Sequence, residues 1–225
     1  MNYISRNLEK VVAEVTKEYP VVLVTGPRQV GKTTMMQKLM EGTGRSYVSL
    51  DDLNERSIAK NDPELFLQLH KPPVLIDEIQ YAPELLPFIK VLIDKEQKPG
   101  MFWLTGSQQF RMMQNVTESL AGRVGIFEML GLSNRELEDR NVEPFLPTHD
   151  FPAASEKLNL RGLYRRIWQG SFPKLADDPE MDHDLFYGSY INTYLGDRIA
   201  GRKAVAGIDV VPEIGRAFVR QSLVG

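Results

Sequence analysis

A run of four apolar residues, Val21-Val22-Leu23-Val24, leads into a loop that meets G-x-x-x-x-G-K-[ST] at every fixed position. The loop reads Gly26-Pro27-Arg28-Gln29-Val30-Gly31-Lys32-Thr33 and is followed by Thr34. Nothing else in the 225-residue chain restricts its fold so tightly. The β-branched run predicts a buried strand, and Lys32–Met40 predicts a helix stopped by Gly42. Strand, loop and helix in that order curl backbone N–H groups around an anion, with the positive end of the helix dipole behind them. In such a loop Gly31 lets the backbone approach phosphate, Lys32 places a charge on the β- and γ-phosphates, and the Thr33 hydroxyl ligates Mg²⁺. The competing reading is a chance glycine-rich turn with an exposed lysine, and the flanking strand and helix weigh against it.

A second apolar run, Val74-Leu75-Ile76, ends in the adjacent carboxylates Asp77 and Glu78. At the mouth of a parallel sheet one carboxylate can face the metal while its neighbour polarises the attacking water. Asp77 is therefore the candidate Mg²⁺ residue and Glu78 the candidate general base. Taken alone, the pair also reads as a solvated strand end. A Glu beside the Asp favours hydrolysis over a GTP switch, and no Asn-Lys-x-Asp guanine-reading motif occurs. The expected ligand is ATP with Mg²⁺.

Around these motifs, apolar strands alternate with helical patterns. Strands are expected at Val21–Val24, Tyr47–Leu50, Val74–Ile76, Met101–Leu104 and Ile126–Leu130. Helices are expected at Leu8–Tyr19, Lys32–Met40, Leu53–Lys60, Pro63–His70, Pro83–Lys95 and Gln109–Leu120. This alternation predicts an α/β fold with a parallel sheet covered on both faces. After Leu132 the text changes. Ser133 followed by Glu136 has capping-box form, 141–154 reads as a loop, and Leu158–Gln169, Asp182–Ala200 and Pro212–Leu223 read as helices. The expected organisation is a nucleotide-binding domain over 1–132 and a small helical domain over 133–225.

Two further polar positions stand out. Ser107, after the run Met101–Leu104, could contact the γ-phosphate or orient water, with Thr105 as second choice; both also suit an ordinary turn. Arg123, between a helix and the last apolar run, could stabilise charge on a transferring phosphoryl group in a neighbouring subunit. Its bland alternative is a surface arginine or an intrachain ion pair.

Composition narrows the class. Charged residues make up 25% and the net charge is −3, so no global field draws the chain to nucleic acid or anionic lipid. With no cysteine, disulfides and thiolate metal sites are ruled out. No run approaches the ~20 apolar residues of a membrane span, and Met1–Arg6 does not open a signal peptide. A soluble cytoplasmic protein without membrane contact is expected. His70, His149 and His183 lack ligand-like spacing, so no metal beyond Mg²⁺ is expected.

Together these residues resemble the AAA-superfamily ATPases of bacteria and archaea in which a P-loop domain precedes a C-terminal domain of unknown function, the family 14 AAA group. The resemblance rests on Gly26–Thr34, Leu75-Ile76-Asp77-Glu78-Ile79-Gln80, Leu104-Thr105-Gly106-Ser107, Ser119-Leu120-Ala121-Gly122-Arg123, Gly170-Ser171-Phe172-Pro173 and the Tyr-bearing stretch Tyr190–Arg198. It implies a P-loop NTPase of the ASCE type with a helical lid, Ser107 as sensor and Arg123 as candidate arginine finger; action of Arg123 in trans would make the chain a homo-oligomer. The family usually has a second Gly where this chain has Ser171, and its members usually continue past this length. Because the text stops at Gly225 inside a helical pattern, the lid is expected to be truncated. Gly170–Pro173 reads either as a nucleotide-sensing segment or as a helix C-cap with a proline stop. The basic clusters Arg161/Arg165/Arg166 and Arg198/Arg202/Lys203 read as solvated helix faces, and Tyr187/Tyr190/Tyr194 as core or interface. The leading expectation is an ATPase. A nucleotide switch with negligible turnover and a nucleic-acid-associated ATPase remain as alternatives.

Overall fold

The computed structural model describes residues 3–107, 116, 119–138, 159–178 and 180–195. The chain divides between Asp177 and Asp178 into two compact units. The first holds one parallel sheet made of β1 (Val21–Thr25), β2 (Ser46–Ser49), β3 (Val74–Asp77), β4 (Phe102–Thr105) and β5 (Val124–Glu128), in the order β2-β3-β4-β1-β5. With β4 inserted between β1 and β3, the loop after β1 and the carboxylates ending β3 face one another across one strand, at the C-terminal edge where open α/β sheets bind ligands.

Side chains alternate across the pleat, and both faces are dry. Val21 and Leu23 join Ile76, Phe102 and Leu104 in one cluster, while Val22 and Val24 join Leu75, Trp103 and Met35 in the other. The covering helices are α1 (Leu8–Val15), α2 (Lys32–Met40), α3 (Leu53–Asn61), α4 (Pro63–Leu69) and α5 (Leu85–Glu96). After the sheet come α6 (Asn134–Leu137), α7 (Leu160–Gln169) and α8 (Pro173–Asp177). The second unit carries α9 (His183–Tyr190), where Phe186 and Tyr190 stack at 6.4 Å, and a π-helical turn, Ile191–Leu195.

Several bounds differ from expectation for local reasons. The α1 helix stops at Val15, not Tyr19; the Thr16 hydroxyl donates to Val12 O at 2.7 Å, and the Tyr19 carbonyl is used by Gly100 N at 2.8 Å. Strand β5 starts two residues before the apolar run suggested, because it is a half-exposed edge strand and Met129 lies beyond it, folded into the core. The α5 helix begins at Leu85, after a 3₁₀ turn over Ile79–Tyr81. The Ser133 capping box forms, with Glu136 closing it. Most of Gln109–Leu120, the 141–154 loop, Pro212–Leu223 and the cluster Arg198/Arg202/Lys203 lie outside the described residues.

Candidate nucleotide site

Backbone geometry in Gly26–Thr33 is specific to its residues. Gly26 has φ 141°, and a Cβ there would sit 2.1 Å from Met129 O, so only glycine lets β5's exit pass so close. Gly31, at φ 93°, is the N-cap of α2, and Gln29 holds a left-handed φ of 62° without being glycine. Val30 is buried among Val24, Met35 and Met129, whereas Arg28, Gln29 and Thr34 lie on the surface and Pro27 between. Gly26→Ala should cost about 3 kcal/mol through overpacking and backbone strain. Urea unfolding checks this; an unchanged midpoint contradicts the packing account.

Lys32 lies in the mouth of this loop, where its Nζ donates to Gly26 O at 3.1 Å and Pro27 O at 2.8 Å. Burial pushes its pKa down, against the upward pull of Glu78 and Asp77, with Arg28 adding to the fall. Across the sheet edge the Thr33 hydroxyl donates to both Asp77 oxygens, at 2.9 and 3.1 Å. The structure thus brings Lys32, Thr33 and Asp77 to one place. Hard oxygen donors from Thr33 and Asp77 fit Mg²⁺ better than a soft metal.

Asp77 is buried and receives more donors than the sequence suggested. Tyr47 Oη donates to its Oδ2 at 3.2 Å, and the Thr105 hydroxyl donates to its Oδ1. Thr105 Oγ1 also accepts from Glu78 N at 3.2 Å. Thr105, the second choice at β4's end, therefore touches both acidic residues. Glu78 adopts a left-handed φ of 59°, which turns it out of the strand direction, and its carboxylate accepts from Gln80 Nε2. The other end of the Gln80 amide accepts from Ser107 N at 3.2 Å. Gln80 therefore ties Glu78 to Ser107. The Ser107 hydroxyl is buried and has no hydrogen-bond partner among the described residues.

Arg123 stands apart from this group. It precedes β5, at the sheet end opposite the loop, and its carbonyl accepts from Val21 N at 3.2 Å. Its guanidinium grips Asp94 through Nε at 2.6 Å and Nη2 at 3.2 Å. It is an intrachain ion pair, partly exposed, and does not reach its own chain's loop.

Sequence reasoning missed Arg6. This residue is only 7% exposed, and its Nη1 donates to Val30 O, inside the loop, at 2.8 Å. Nη2 donates to Leu130 O at 2.8 Å and Gly131 O at 3.1 Å, while Nε meets Glu136 Oε1 at 3.0 Å. Glu136 also accepts from Asn7 N at 2.8 Å and Ser133 N at 2.7 Å. One buried ion pair thereby fastens the chain start, the phosphate loop and the segment after β5. Close by, Ser171 O accepts from Leu132 N at 2.6 Å, and Phe172 packs on the cluster containing Val30. Gly170, at φ 70°, does cap α7, but Pro173 opens α8 instead of stopping a helix, and its ring lies 3.8 Å from where a Gly31 Cβ would be.

Comparison with known proteins adds the family. A family model described as an AAA domain matches residues 18–138, more than half of the chain. An uncharacterized protein of Mycobacterium bovis and one of Mycobacterium tuberculosis are each 32% identical over 177 residues, covering 78% of this chain and 35% of the relative. The chain thus spans about a third of the length of these curated relatives. The AMPPCP-bound DnaA of Aquifex aeolicus aligns with a TM-score of 0.50 at 14% identity, over 90% of this chain and 67% of that one. The Walker-type ATPase of Pyrococcus abyssi aligns at 0.44 and 17% identity, over 61% and 57% of the two chains. With its sheet order, its glycine loop and a family match across both, the chain belongs to the AAA-domain family of P-loop ATPases.

Proposed function

We propose that the chain binds ATP at Gly26–Thr34 and hydrolyses it. The observation that carries this reading is the bond from Thr33 to Asp77 across β4, with Lys32 in the loop mouth beside them. A triphosphate entering here would take over the amides of the loop and draw Lys32 away from the Gly26 and Pro27 carbonyls. Thr33 and Asp77 are the residues that would hold Mg²⁺, which when bound neutralises charge on the β- and γ-phosphates. Glu78, turned out by its left-handed backbone and held by Gln80, accepts the proton of the attacking water. The Ser107 hydroxyl is the donor for the γ-phosphate, its own partner being absent among the described residues.

Arg123 acts in trans. It is at the far end of the sheet, so it can serve only a neighbour's site, and a head-to-tail interface would bring it there. Asp94 holds its guanidinium in place beforehand.

Subunit mixing tests both statements. Glu78→Gln and Arg123→Ala chains should each turn over far more slowly than wild type alone, yet regain turnover when combined. A site with intact Glu78 then meets an intact Arg123 at about a quarter of randomly formed interfaces. Silence in the mixture, with both variants folded, contradicts the trans assignment. Turnover near the wild-type rate by either variant alone contradicts the role given to that residue.

A further inference from the structure

At the sheet end opposite the phosphate loop lies a cavity of about 650 Å³, within the range of small-molecule sites. Its apolar lining includes Leu67, Leu92 and Met101. Arg45, immediately before β2, lies in its wall, and the exposed Lys71 and Lys98 line it as well. Arg45 is 9% exposed and lies over the Trp103 ring at 4.0 Å. Its Nη2 donates to Gly100 O at 2.8 Å, and its Nη1 donates more weakly to Val74 O at 3.3 Å and Met101 O at 3.4 Å. Its Nε has no partner among the described residues.

Those carbonyls hold the guanidinium in place but do not neutralise it. Burial lowers the Arg45 pKa to about 10, and among the described residues no carboxylate offsets that fall. Glu96, the one acidic residue lining the cavity among the described residues, pairs with Lys98 at 2.8 Å. A buried cation is ordinarily paired with an anion. Among the described residues the pairing charge is missing, and an open cavity stands beside it, lined by the further cation Lys71 and by Lys98, which Glu96 pairs.

We infer that this cavity is a second ligand site, which takes a small organic anion. Its carboxylate or phosphate would meet Arg45 and Lys71, with Lys98 at the rim beside its partner Glu96, and its apolar body would lie on Leu67, Leu92 and Met101. The inference does not rest on ATP hydrolysis at the phosphate loop.

The chain has two tryptophans, Trp103 and the exposed Trp168. In a Trp168→Phe background the emission of Trp103 therefore reports on its contact with Arg45. Hexanoate or hexyl phosphate should change that emission saturably, and whichever binds more tightly identifies the anionic group. Hexanol, with no charge, and inorganic phosphate, with no apolar body, should bind at least about tenfold more weakly. Arg45→Gln should abolish the response. Because loss of the fold would also remove that response, the exposed pair Lys71→Glu/Lys98→Glu provides a second test and should weaken hexanoate about tenfold. Lys32→Ala should leave hexanoate binding unchanged. Three results would overturn the inference: equal binding of hexanol and hexanoate, no effect of the lysine pair, or loss of the response in Lys32→Ala, which would put the anion in the phosphate loop.

Discussion

Glu78→Gln should slow ATP hydrolysis by about 10²–10⁴-fold, the usual contribution of a positioned general base, while leaving ATP affinity nearly unchanged. The amide keeps the shape of the carboxylate but cannot take a proton. Binding should survive because the loop amides, Lys32 and Thr33 are untouched. Position is as important as chemistry here. Glu78 keeps its left-handed backbone with its N–H on Thr105, and its carboxylate on Gln80. Gln80→Ala should therefore produce a weaker version of the same defect, since it frees Glu78 and removes the tie to Ser107 N. Single-turnover hydrolysis beside nucleotide binding measures both. Hydrolysis at the wild-type rate in Glu78→Gln would remove the base from this residue.

Arg6→Met should destabilise the fold by about 3–5 kcal/mol, the cost of leaving one partner of a buried ion pair uncompensated. Glu136 would remain buried with only the Asn7 and Ser133 N–H groups, and the Val30, Leu130 and Gly131 carbonyls would each lose a donor. The double variant Arg6→Met/Glu136→Gln should lose much less than the sum of the two single changes, because it leaves no orphan charge. Acid provides an independent check. Burial tends to raise the Glu136 pKa, but the Ser133 and Asn7 N–H groups and Arg6 outweigh it and hold the carboxyl below its ordinary 4.5. A lowered native pKa contributes stability that is full above 4.5 and is lost as pH falls through the native value. Glu136→Gln should therefore be less stable at neutral pH yet show a shallower acid limb. Urea midpoints across pH 7 to 3 read both effects. Parallel acid limbs in wild type and Glu136→Gln would contradict the coupling.

Much of this arrangement was legible in the sequence, and the reason is locality. The phosphate loop is specified by adjacent residues, and Lys32–Met40 begins and ends as its text predicts because Gly31 and Gly42 bracket it. Strand β3 and its carboxylates follow from one apolar run. What stayed hidden depends on tertiary neighbours. Arg6 meets Glu136 across 130 residues of chain, and nothing local in Ser5-Arg6-Asn7 signals it. Tyr47 looked like an ordinary strand residue until β2 paired with β3 and brought its hydroxyl to Asp77. Gln80 stood in the motif text, but its bridging role needs the end of β4 beside it. Edge strand β5 was misplaced by two residues because an edge needs no continuous apolar run.

Titration of ATP with Mg²⁺ into wild type and into Lys32→Ala, followed by calorimetry, probes the phosphate loop most directly. Wild type should bind one ATP per chain, and Lys32→Ala should bind about 10- to 100-fold more weakly, the worth of a hydrogen bond to a charged group. Equal affinity in the two proteins, or no binding by folded wild type, would contradict the assignment of Gly26–Thr34 as a nucleotide site.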